Sequence, residues 1–192
     1  MKRSMNWKIM KIIGIDLSLT SPALCYFRGE EFNFEQCEFF YMSKNKKLFG
    51  PRPPVYGREM TDHLTDMDRY VQISAWVFEC IDHITPDHIF IEDYAFASTG
   101  RVFNIAENCG ILKYNLWKAG FGYSCIPPTV VKKVATGKGN SNKVAMEIAF
   151  KQQTGFDFRK HLQLSESATN PVSDIIDSYY VAKAGLTYVK EK

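Results

Sequence analysis

Two short apolar runs in this chain each end in a carboxylate, and that arrangement restricts the fold more than any other feature. Ile12-Ile13-Gly14-Ile15 leads into Asp16, and Ile89-Phe90-Ile91 leads into Glu92. Runs of this length and composition read as buried strands. A carboxylate at the end of such a strand is costly unless it is paired, hydrogen-bonded or bound to a cation. A third acidic group, Asp174 and Asp177, lies in Asn170-Pro171-Val172-Ser173-Asp174-Ile175-Ile176-Asp177. Residues three apart share a helix face, and a position in the first two turns favours negative charge. If strands 12–16 and 88–92 are neighbours, Asp16 and Glu92 leave the same sheet edge. Four oxygen donors converging there would suit one or two Mg²⁺ ions, which take carboxylates, waters and phosphate oxygens. Two ions ~4 Å apart would activate a water and stabilise the leaving oxygen of a phosphodiester. Taken singly, each acid serves equally well as a turn cap, a salt-bridge partner or part of a solvated face. The metal reading rests on their occurring together.

The 192 residues are enough for one domain with a real core, expected to span 1–192, and long for two. With a net charge of +3, nucleic-acid binding has to rest on local basic clusters. No apolar run approaches the ~20 residues of a membrane span, and the basic start Met1-Lys2-Arg3-Ser4 makes a poor signal peptide. Cys25, Cys37, Cys80, Cys109 and Cys125 form no CxxC pair and read as reduced thiols. Histidines 63, 83, 88 and 161 lack zinc-ligand spacing with them. A cytoplasmic location is expected.

Along the chain, strand 11–16 is followed by a turn through Ser18, Thr20, Ser21 and Pro22. Extended segments near 23–28 and 32–41 complete an antiparallel meander. Residues 43–57, with Lys44, Lys46, Lys47, Gly50, Pro51, Arg52, Pro53, Pro54 and Gly57, read as an exposed, basic, irregular loop: a DNA-contacting arm through Lys44, Lys46, Lys47 and Arg52, or a plain surface loop. From about 58 to 84, Leu64, Met67, Val71, Ser74/Ala75, Phe78 and Ile81 recur at helical spacing. A strand over 88–92 and a helix with Val102, Ile105, Cys109, Leu112 and Leu116 on one stripe follow. Then come a strand from Tyr123 to Ile126, a short helix capped by Thr129 and ending at Gly137, and a helix opened by Asn140 or Ser141. For the last helix, Asn170 is the expected N-cap and Pro171 the first helical residue. The order is that of an α/β layer fold with a mixed sheet: three antiparallel strands, then parallel ones, flanked by helices.

Lys132, Lys133, Lys138 and Lys143 surround a glycine-containing stretch, a composition that suits a phosphate backbone more than base edges. An ordinary turn with solvated lysines is the alternative. Gly137-Lys138-Gly139-Asn140 is not a P-loop. Tyr94 and Phe96, just past Glu92, are candidates to stack on bases at an opened junction, with core packing as the alternative. Trp76 and Trp117 read as core or as an interface.

These stretches, in this order, resemble the RuvC-type Holliday junction resolvases of the ribonuclease H-like nucleases. Gly14-Ile15-Asp16 is similar to the family's first strand motif, and Pro86-Asp87-His88-Ile89-Phe90-Ile91-Glu92 to the second. Val131 to Lys143 resembles the V-K-x-x-x-x-G-x-G-x-x-x-K stretch, and Asn170 to Ser178 the closing N-P-x-x-D-x-x-D-A motif. The likeness runs from about 11 to 185. It implies a ribonuclease H-like fold with Asp16, Glu92, Asp174 and Asp177 as Mg²⁺ ligands, Mn²⁺ substituting. It implies Lys132 and Lys143 beside the scissile phosphate, and a homodimer packed partly through the helix after Glu92. The implied activity is cleavage of four-way junctions and other branched DNA, with water attacking phosphorus in line to leave 5′-phosphate and 3′-hydroxyl ends. Leu17-Ser18 replaces the family's usual Pro-Gly, a variant more similar to phage-encoded members, so bacterial or phage-infected host cytoplasm is the expected setting.

Other readings remain. A ribonuclease H acting on RNA–DNA hybrids shares fold and metals but lacks the lysine-glycine stretch and the closing motif. An actin-like ATPase shares Gly14-Ile15-Asp16-Leu17 but needs two lobes. A non-catalytic junction-binding protein would not need all four acids.

Overall fold

Each core strand uses its two faces differently, and this alternation builds the molecule. The computed structural model describes residues 9–94 and 102–191. Strands β1 (Met10–Asp16), β2 (Ala23–Gly29) and β3 (Cys37–Ser43) form the antiparallel meander. On its other side β1 pairs in parallel with β6 (His88–Glu92), and β6 with β7 (Tyr123–Ile126). Along β1 and β6, Ile13, Ile15, Ile89 and Ile91 face one layer of helices, while Ile12 and Phe90 face the other. The first layer is α1 (Asp66–Ile84) and α2 (Val102–Lys118). The second is α3 (Pro128–Thr136), α4 (Lys143–Thr154), the single turn α5 (Phe158–His161) and α6 (Val172–Lys190).

The segment 43–57 departs from the irregular loop expected of it. It holds a 3-10 turn (Lys46–Leu48) and two strands, β4 (Gly50–Arg52) and β5 (Val55–Glu59). β5 pairs in parallel with β3 and β4 antiparallel with β5, so the sheet has seven strands in the order β4-β5-β3-β2-β1-β6-β7. Its prolines disguise it: Pro51 lies on the edge strand, where a missing N–H is tolerated. Buried Leu48 and Val55 anchor the segment to the core. The third strand also begins later than expected. Phe34–Gln36 form a 3-10 turn capped by Asn33, and Phe34 packs among Phe39, Phe150, Phe156 and Phe158.

Helix α1 differs from its expected span and stripe. It starts at Asp66 behind a capping box between Thr65 and Asp68, because residues 55–59 are used as strand. Tyr70, Ile73, Val77, Ile81 and Ile84 are its buried face, whereas Leu64 is 99% exposed and Met67 and Val71 point outward. The helix is apolar on two sides, so periodicity alone cannot say which one meets the sheet. Trp76 belongs to the core; Trp117 is 72% exposed. The start of α3 is also shifted: Pro128, suited to a first turn, opens it, and Thr129 is not its cap. Asn142, not Asn140 or Ser141, caps α4 by accepting from the Ala145 N–H. All five cysteines are free thiols, four of them buried.

Candidate metal centre

The alternation that sorts the core also aims the carboxylates. Asp16 follows Ile12 and Gly14 at steps of two, and Glu92 follows Phe90, so both acids turn toward the α6 side of the sheet. Gly14 is what lets α6 lie there. A Cβ at Gly14 would meet the Ala182 backbone nitrogen and stand 2.5 Å from the Ser178 carbonyl oxygen. Asp174, Ser178 and Ala182 are successive steps of four along α6, so the helix that touches β1 at Gly14 brings its acidic first turns over Asp16.

One carboxylate oxygen each from Asp16, Glu92 and Asp177 lies within 4.8 Å of the other two. Asp174, only 2% exposed, stands beside this triad and is tied up differently. Its Oδ2 accepts from the Ser21 hydroxyl. Its Oδ1 faces the Lys143 ammonium at 3.5 Å and the Ser173 hydroxyl at 3.2 Å. Asn170 does not cap α6. Its side-chain amide donates to Thr20 Oγ1 (2.9 Å), and its Oδ1 accepts from Ser173 (3.2 Å), so the entrance to the helix is fastened to the β1–β2 turn. The acids open into a cleft of about 520 Å³ that also takes in Leu17, Tyr94, Ile105, Lys132 and Lys143.

Burial, then repulsion from Asp174, Glu92 and Asp177, pushes Asp16 well above the usual carboxylate range, against the pull of Lys143. Burial and the Asp177 charge push Glu92 up to about 8, while Lys132 and Lys143 oppose the shift. Burial also takes Asp177 to about 7, with Asp174 adding to the rise and Lys143 and Lys132 opposing it. Lys143 loses some basicity to burial, but Asp174, Asp177 and Asp16 more than compensate and hold it above its ordinary value. The metal-free site therefore carries more negative charge than it can keep ionised at neutral pH. A bound dication would relieve the same repulsion that protons otherwise relieve. With oxygen donors only and open water on one side, the triad fits a hard divalent cation.

No family model matches the sequence. Comparison of folds is decisive instead. The structure of Thermus thermophilus RuvC superposes with a TM-score of 0.61 over 95% of this chain and 96% of that one, at 18% identity. T. thermophilus RuvC in complex with its Holliday junction substrate gives a TM-score of 0.64 over 95% and 96%, at 15% identity. The fold is that of RuvC. The yeast mitochondrial Holliday junction resolvase is similar too, with a TM-score of 0.52 over 98% of this chain and 82% of that one, at 15% identity. The mixed sheet and flanking helices are thus those of the ribonuclease H-like fold expected from the sequence.

Within this RuvC fold, the residues singled out from sequence separate into groups. Asp16, Glu92 and Asp177 come together; Asp174 lies beside them as the strongest charge acting on Asp16, its oxygens held by Ser21, Ser173 and Lys143. Lys132 and Lys143 line the cleft, from α3 and from the first residue of α4. Lys133 and Lys138 are exposed and stand outside the cleft lining. Gly137 caps α3 with φ +80°, the left-handed conformation that glycine adopts without strain. Tyr94 is half-buried in the cleft wall, with the Lys113 ammonium 5.7 Å from its ring centre. Phe96 lies outside the described residues. Ser21 and Ser173, which hold Asp174, were not singled out, although a hydroxyl-rich turn directly after an acidic strand end was the available signal.

Proposed function

We propose that this chain is a Mg²⁺-dependent, structure-selective DNA endonuclease, a crossover junction endodeoxyribonuclease acting on Holliday junctions and other branched DNA. The convergence of Asp16, Glu92 and Asp177 at one sheet edge carries the reading. It is supported by two similar structures whose descriptions name RuvC with a Holliday junction substrate and a mitochondrial Holliday junction resolvase. Asp16, Glu92 and Asp177 would hold the metal, with Asp174 as a further ligand once cation binding draws it from Lys143; Mn²⁺ would substitute. The bound cation supplies a water of lowered pKa and a positive charge at the cleaved phosphate. Lys132 and Lys143, flanking the cleft, would offset charge building on the phosphate oxygens. Lys133 and Lys138 would hold the DNA backbone outside it, and Tyr94, with Phe96 after it, would stack on an unpaired base.

The chain would act as one nuclease domain over 1–192, in the cytoplasm and as a homodimer. Exposed Phe103, Tyr114 and Trp117 on α2, and Val71 and Met67 on α1, supply an apolar face for pairing. Among the described residues no helix is long and apolar enough to cross a membrane.

The test is to incubate purified protein with a labelled immobile four-way junction, a Y-fork, linear duplex and an RNA–DNA hybrid, with Mg²⁺ or EDTA. Paired symmetrical nicks in the four-way junction, dependent on Mg²⁺, are expected. Cutting of the hybrid alone, or binding without cutting of any substrate, would refute the reading.

A further inference from the structure

We propose that the turn between β3 and β4 is a second phosphate-binding station for duplex DNA, built from Lys46 and Lys47 about one groove width from the metal triad. The inference rests on the nuclease reading and adds to it a place where the uncut strand is held.

Sheet register sets the geometry. Asp16 pairs with Ala23, Ala23 with Tyr41, Tyr41 with Gly57 and Gly57 with Gly50, so one row runs from the metal triad to the β4–β5 hairpin. β3 runs in the same direction as β1. The chain leaving β3 after Ser43 therefore emerges from the same sheet edge as the chain leaving β1 after Asp16. The Tyr41 hydroxyl donates to the Leu48 carbonyl at 2.7 Å, which seats the turn beside the Tyr41–Gly57 step of the row. Strands are ~4.8 Å apart, so β3 and β5, beside which the turn is seated, lie about 10 and 14 Å from β1 across the sheet. The major groove of B-DNA is ~12 Å wide. A duplex with one phosphate at the triad would carry the facing strand past the turn.

The turn is also held in shape through its backbone. Ser43 Oγ accepts from the Asn45 N–H (3.1 Å), and Asn45 Oδ1 accepts from the Lys47 N–H (3.1 Å). The Arg52 guanidinium donates to the Lys47 carbonyl (2.6 Å), and the Arg52 carbonyl in turn lies 2.8 Å from His161 Nε2. Leu48 is buried beneath. Neighbouring cations are neutralised, Lys44 by Asp62 and Arg58 by Glu79. Lys46 and Lys47 are exposed, and among the described residues neither forms an ion pair. Two unpaired ammonium groups on an ordered backbone meet phosphates without breaking an existing pair, and with little further ordering of the chain.

The experiment measures binding of a four-way junction over a range of salt, with Ca²⁺ replacing Mg²⁺ to prevent cutting. Each phosphate contact contributes about −0.9 to the slope of log K against log salt, so Lys46→Ala/Lys47→Ala should make that slope shallower by about 2. Single-turnover cutting at saturating enzyme should stay within about twofold of wild type, because neither lysine lies in the cleft. Arg28→Ala, exposed on β2 beside Lys11 at the opposite sheet edge, should leave the slope unchanged. A wild-type slope in the double variant, or an equal loss in Arg28→Ala, would overturn the inference while leaving the nuclease reading intact. A wild-type protein that neither binds nor cuts the junction would overturn both.

Discussion

Glu92→Gln should make the metal-free protein more stable at alkaline pH, the reverse of what loss of a packed, paired side chain does. Burial and repulsion raise the folded-state value of Glu92 from an ordinary 4.5 to about 8. Between those limits the native state holds a proton that the unfolded chain has released, so stability falls as pH rises through this window. At ~1.4 kcal/mol per pK unit the upper bound at pH 8 is about 4 kcal/mol. Glu92 is half-buried in an open cleft, and water screens part of this, leaving about 1–3 kcal/mol. Glutamine keeps the shape and carries no charge. In EDTA at pH 8 the variant should therefore melt about 2–12 °C higher than wild type, since 1 kcal/mol moves Tm by ~2–4 °C in a domain of this size. At pH 5 the gap should shrink to below about 1 kcal/mol, because the unfolded chain then holds much of the same proton. Saturating Mg²⁺ should raise the wild-type Tm well above that of the variant, which has lost a ligand. Scanning calorimetry at the two pH values, with and without metal, reads all of this. A variant less stable than wild type in EDTA at pH 8, with an undiminished gain from Mg²⁺, would refute the reasoning.

Other consequences can be checked independently. Asp174→Asn should abolish junction cutting while gel-shift binding persists; cutting at the wild-type rate would remove Asp174 from the site. Lys132→Ala and Lys143→Ala should each lower single-turnover cutting about 10²-fold with Tm within a few degrees of wild type, and normal activity would separate them from the cleaved phosphate. Gly14→Ala should destabilise by about 3 kcal/mol or more in urea unfolding, because its Cβ would meet α6 backbone that cannot swing aside. Trp117→Glu, at an exposed site on α2, should leave monomer stability within about 0.5 kcal/mol while shifting the protein toward monomer in sedimentation; an unchanged assembly state would place the dimer contact elsewhere.

The strand ends were legible because short apolar runs have few other uses, and the alternation Ile12, Gly14, Asp16 carries the facing of the carboxylate within it. The start of α6 was readable to within one residue from the acidic first turns: Pro171, expected as the first helical residue, is the N-cap, and the helix begins at Val172. What misled was local. In 43–57 the prolines look like loop, and only pairing of Val55 with Phe39 makes the stretch a strand. Leu64, ahead of α1, and Met67 and Val71 on it have helical spacing, yet the sheet takes up the opposite stripe. Asn170 has the chemistry of an N-cap but spends its amide on Thr20, a partner 150 residues away in sequence.

The sequence by itself determined the five strands outside 43–57, the long helices and their order, and the set of acidic and basic side chains, because hydrophobic period, turn residues and charge are local properties. Tertiary structure decided which of those side chains meet. Asp16, Glu92 and Asp177 form the triad, while Asp174, beside it, is held by Ser21 and Lys143. The same holds for the sheet row from Asp16 through Ala23 and Tyr41 to Gly57, beside which Leu48 and its turn are seated. Register, helix approach and hydrogen-bond partners across long separations are set by the packing of whole layers, and no window of the chain contains them.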